Sequence, residues 1–80
     1  MAGKAHQLAD GINYLIQKYA ADEPAKVVAV LNEADDFTVN VCFRDDDVEF
    51  TAEDKGFMSY NYGFYYGDEF GYRYFGFVLG

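Results

Sequence analysis

From Phe57 to Gly80 the chain is built mainly from phenylalanine, tyrosine and glycine, and that stretch limits the folds available more than any other. Tyr60, Tyr62, Phe64, Tyr66, Phe70, Tyr72 and Tyr74 fall on even positions, and Phe57, Tyr65, Phe75 and Phe77 on odd ones. Successive side chains of a strand point to opposite faces, so strands drawn here put rings on both sides of a sheet. A chain of 80 residues has little else with which to cover two aromatic faces. A ringed face left uncovered is the kind of surface that meets a partner.

Eighty residues make one domain, 1–80, and a chain this short buries only about 60–65% of its unfolded surface. Cys42 is the only cysteine, so no disulfide within the chain supplements the core, and a lone thiol fits a reducing compartment. No run of about 18 apolar residues occurs, and the N-terminus lacks a signal-type apolar segment. The expectation is a cytoplasmic protein without a membrane span, in host cytoplasm if the chain is phage-encoded.

The net charge of −8 is placed unevenly, because residues 22–55 alone carry a net −8. Such a chain is a poor direct ligand for nucleic acid, whose phosphates need cations. It suits a basic partner, since an acidic field speeds encounter with a cationic cleft. Acidity for solubility alone is the plainer reading.

Leu8, Ile12, Leu15, Ile16 and Tyr19 recur every three or four residues, which predicts an amphipathic helix over about 4–20. Gly11 lies inside it and points to close backbone packing there. Phe37, Val39, Val41 and Phe43 alternate with polar residues and predict a strand over about 37–44. Further strands are expected at about 26–31, 48–51, 57–66 and 69–79. The stretch 26–31 also keeps helical spacing and stays open between the two. Asn32–Asp36 reads as a loop, Asp45-Asp46-Asp47 as a turn, Ala52–Lys55 as a polar loop, and Gly67-Asp68 as a hairpin turn pairing Tyr66 with Glu69. In that register glycines lie beneath aromatic or small neighbours, with Phe57, Tyr65, Phe70, Tyr72, Tyr74 and Val78 on one face and Met58, Tyr60, Tyr62, Phe64, Phe75 and Phe77 on the other. The predicted class is α+β: one N-terminal amphipathic helix on an antiparallel meander of four or five strands.

No catalytic pattern emerges. A calcium loop counted from Asp45 needs glycine at its sixth position and glutamate at its twelfth, and Phe50 and Gly56 stand there. Cys42 and His6 are the only thiol and imidazole, one in a strand and one near a terminus. Base-stacking sheets carry cations around their rings, whereas only Arg73 lies within this one. No enzyme activity, cofactor or metal is expected.

In an up-and-down meander the turns at Asp45–Asp47 and Asp68-Glu69 lie at one end of the sheet and the loops at Glu33–Asp36 and Glu53-Asp54 at the other. Acid clusters so spaced over a tyrosine-bearing sheet can imitate the phosphates of a nucleic acid. The main expectation is a small non-enzymatic inhibitor for the basic groove of a nuclease or other nucleic-acid-handling protein. Asp45, Asp46, Asp47, Glu49, Asp68 and Glu69 would meet its cations, and Tyr65, Tyr72 and Tyr74 would pack around them. In size and acidity the chain is similar to phage anti-defence proteins (anti-restriction and anti-CRISPR proteins) and to immunity proteins of nuclease toxins. That likeness is one of kind, with no family motif behind it. The alternative is a self-assembling structural protein, a homodimer or larger oligomer joined through the aromatic hairpin.

Overall fold

A computed structural model describes residues 3–22, 28–31, 37–69 and 71–79. The class is α+β, as the sequence predicts. The elements are α1 (Lys4–Tyr19), β1 (Val28–Leu31), β2 (Thr38–Arg44), α2 (Ala52–Tyr62), β3 (Tyr65–Glu69) and β4 (Tyr72–Val78). The loop expected at Asn32–Asp36 lies outside the described residues.

Helix α1 follows its apolar stripe. Leu15 is fully buried, with Leu8, Ile12 and Tyr19 packed around the core. Gly11 faces the Phe64 ring so closely that a methyl group there would overlap it.

The second helix corrects two expectations, a loop at 52–55 and a strand over 57–66. Thr51 caps α2, its hydroxyl accepting from the backbone N–H of Asp54 at 3.1 Å, while Glu53 and Asp54 place acid in the first turn. Gly63, at φ 73°, ends the helix in the left-handed region that glycine enters without penalty. These two signals outweigh the alternation of Met58, Tyr60, Tyr62 and Phe64. With a helix there, Met58 is fully buried while Tyr60 stands in solvent.

The expected meander and the single covering helix are also corrected. Sheet order is β1-β2-β4-β3, so β4 lies between two strands that precede it in the chain. Both β2 and β3 run antiparallel to β4, which makes them parallel to each other, and parallel strands need a crossover. Helix α2 is that crossover. The segment 48–51 is not a strand; Val48 and Phe50 are buried beneath the helices instead. Phe50 packs on Tyr19, Phe43 and Phe75 at ring-centre distances of 4.8, 5.3 and 4.6 Å.

The hairpin turn closes at Gly71 (φ 80°) rather than at Gly67-Asp68, and Glu69 pairs with Tyr72. Gly67 belongs to β3 because the Tyr74 ring lies across it, leaving no room for a side chain. Val39, Val41, Phe43, Phe75 and Phe77 form the sheet's buried face. Val41, Phe43, Phe75 and Phe77 join Leu15, Ala20, Val48, Phe50, Met58 and Phe64 in a single core, with both helices on that side.

Candidate interaction surface

Alternation sends the other half of each strand to the opposite side. Residues paired across antiparallel strands share a face, so the register yields rows. Arg44, Tyr72 and Glu69 form one row, Cys42, Tyr74 and Gly67 the next, and Asn40, Gly76 and Tyr65 a third. Tyr65 and Tyr72 are 43% and 42% exposed, whereas Phe75 beside them on the other face is fully buried.

The rings lie flat because glycine makes room for them. Tyr65 crosses Gly76 and Tyr74 crosses Gly67, a methyl at either glycine overlapping the ring above it. The two tyrosines meet edge to face at 6.4 Å. The Tyr65 hydroxyl reaches Asn40 Oδ1 at 3.4 Å, the outer limit of a hydrogen bond. Partial burial pushes the Tyr74 hydroxyl pKa up, with the Glu69 charge adding to it. Burial likewise raises the Cys42 thiol, which therefore stays protonated at neutral pH.

The acids gather at one end of this sheet. The turn Asp45–Asp47 follows β2, and Asp45 N–H donates to Gly71 O at 3.0 Å, joining that turn to the hairpin end. Arg73 points to the helix side and binds from there. Its Nε lies 3.4 Å from Asp45 Oδ1 and its Nη1 3.9 Å from Glu49 Oε1, while Nη1 donates to Val48 O at 2.8 Å. Asp46 and Asp47 are exposed and make no ion pair among the described residues.

The structure thus divides the nine sequence-predicted residues into two neighbouring groups. Tyr65, Tyr72, Tyr74 and Glu69 share the open face. Asp45, Asp46, Asp47 and Glu49 form the end beside it, and Asp68 lies across the strand from Glu69, on the helix side, in the row of Arg73. Of the acids expected at the opposite end, Glu33–Asp36 fall outside the described residues, and Asp54 is largely buried.

Sequence reading missed the role of Asp54. It is 7% exposed, and its carboxylate accepts from Lys18 Nζ and from the Tyr19 hydroxyl, tying α2 to α1. Burial alone would raise its pKa, but the bonds from Lys18, Tyr19 and Thr51 prevail and hold the carboxyl below its usual value. An aspartate three residues after a threonine cap was the one local signal; a partner 36 residues away leaves none.

Cys42 is on the open face and His6 on α1, with the sheet between them, and His6 is paired with Asp10 at 3.3 Å. No group of three or more metal-binding side chains occurs among the described residues. A groove of about 550 Å³ between the start of α1 and the end of α2, lined by His6, Gln7, Asp10, Asn61 and Tyr62, is shallow and open. No helix among the described residues is long and apolar enough to cross a membrane. No family model, curated protein or solved structure matches this chain.

Proposed function

We propose that the chain is a small acidic, non-enzymatic inhibitor that occupies the basic groove of a nucleic-acid-handling protein, a nuclease or nucleoprotein complex. The observation that carries this reading is the pair of exposed aspartates, Asp46 and Asp47, which make no ion pair among the described residues and stand at the edge of an open tyrosine face. A net charge of −8 draws such a surface toward cations. Asp45, Asp46, Asp47 and Glu49 would meet arginine or lysine side chains in place of phosphates, with Asp68 and Glu69 extending the charge along the hairpin. Tyr72, Tyr74 and Tyr65 would supply contact area at low entropy cost, and their hydroxyls would bond the same cations. The likeness in kind to phage anti-defence and nuclease immunity proteins belongs to this proposal, as does a cytoplasmic site of action.

The test is capture of binding proteins from a bacterial lysate at low and high salt, using wild-type chain and Asp45→Asn/Asp46→Asn/Asp47→Asn. Wild type should retain nucleases or nucleoprotein complexes that salt releases. With a purified target, the triple variant should bind at least about tenfold more weakly and with a flatter salt dependence. Equal affinity and equal salt slope for the two chains would remove the electrostatic basis of the reading.

A further inference from the structure

The row Arg44–Tyr72–Glu69 has a property that target binding does not use: it carries opposite charges on either side of an exposed ring. Arg44 and Glu69 are both exposed, and neither makes an ion pair among the described residues. We propose that a second copy of this chain packs face to face on the open side of the sheet, about a two-fold axis running along β4. A rotation about that axis exchanges the β2 and β3 sides. Tyr72 then lies over the Tyr72 of the other copy, and each Arg44 lies over a Glu69. The perpendicular choice of axis would place Arg44 against Arg44 and is disfavoured by charge alone.

The same rotation leaves direction along the strands unchanged, so the two Asp45–Asp47 turns emerge at the same end of the pair. The dimer thereby presents twice the acid on one side. Repulsion between those ends limits its strength, and so does its size. The face is roughly three strands wide and seven residues long, about 14 by 23 Å or roughly 320 Å² per copy, which is below the size of stable interfaces and confines the pair to weak, transient association. Such a pair protects an exposed aromatic face in the free protein and gives way when a tighter partner takes Tyr72. The proposal concerns the chain alone and stands or fails independently of any foreign target.

The experiment is sedimentation equilibrium at loading concentrations from about 10 µM to about 1 mM, bracketing weak association. Wild type should show a reversible monomer–dimer equilibrium, and Arg44→Lys, which keeps the charge, should match it. Arg44→Glu makes the row acidic at both ends and Glu69→Arg makes it basic at both. Each alone should lose at least about tenfold in dimer affinity. An equimolar mixture of the two should recover dimer, because the acidic row of one now faces the basic row of the other. Tyr72→Ala should abolish association while circular dichroism shows an unchanged fold. Wild type that stays monomeric throughout, or a mixture that associates no better than its separate components, would overturn the proposal.

Discussion

Replacing Asp54 by asparagine removes the charge that fastens α2 to α1 while nearly preserving shape. The Tyr19 hydroxyl loses an ionised acceptor inside the protein, and one carboxylate oxygen becomes an amide donor facing donors. A hydrogen bond to a charged group contributes about 1.5–3 kcal/mol, so the lost Tyr19 bond sets the expected destabilisation at about 2 kcal/mol. The Lys18 ammonium is solvated and swings into water, so no further energy is assigned to it. For a domain of this size, about 2 kcal/mol lowers Tm by roughly 8–16 °C, read from thermal unfolding by circular dichroism at pH 7. The pH dependence carries the sign. Asp54 has a folded-state pKa below its ordinary 3.8, so its contribution is present above that value and disappears as pH falls through the lowered one. The gap between wild type and variant should therefore be constant from about pH 5 to 8 and close below about pH 4. Tyr19 moves the opposite way: desolvation, then the Asp54 bond, raises its hydroxyl above the ordinary 10.0. Its part of the same interaction is complete below pH 10.0 and fades as pH climbs further. A Tm drop under about 3 °C, or a gap that persists unchanged at pH 3, would refute the buried-latch account.

Gly11→Ala sets helix propensity against packing. The methyl gains about 1 kcal/mol in α1 but drives into the buried Phe64 ring, where overpacking costs about 1–3 kcal/mol. Urea unfolding should show a net loss, and a stabilised variant would contradict the close contact. Thr51→Ala removes the hydroxyl that accepts from Asp54 N–H and should lower stability by about 1 kcal/mol, with Thr51→Ser restoring most of it. An unchanged denaturation midpoint in the alanine variant would mean that α2 does not depend on its cap.

The sequence disclosed whatever a local period could encode. The stripe Leu8–Ile12–Leu15–Tyr19 suits only a helix, and α1 begins and ends within a residue or so of where that stripe places it. The alternation Phe37–Phe43 yielded β2 in the same way. Residues 52–62 misled because Met58, Tyr60, Tyr62 and Phe64 alternate perfectly, whereas the signals that favour a helix, the cap at Thr51 and the stop at Gly63, are single residues at its two ends. Gly67 and Gly71 are both acceptable turn residues, and only the ring of Tyr74 lying across Gly67 decides between them. Yet the faces survive either choice. Moving the turn changes the partner of Tyr66 from Glu69 to Phe75, six positions along and therefore an even step. An even slip preserves which side chains share a side, so Tyr65, Tyr72 and Tyr74 were grouped correctly from parity alone. The acids were less legible. Arg73 reaching Asp45 and Lys18 reaching Asp54 both depend on the crossing of elements far apart in sequence, and no local pattern carries that.

One side of the sheet is sealed by both helices while the other stays open to solvent. Nitration of tyrosines in dilute protein, mapped by mass spectrometry over a time course, addresses this directly. Tyr60, Tyr65 and Tyr72 should react early, and Tyr19, whose hydroxyl is bound to Asp54, should lag well behind them. Protection of Tyr65 and Tyr72 to the level of Tyr19, at concentrations where the chain is monomeric, would contradict it.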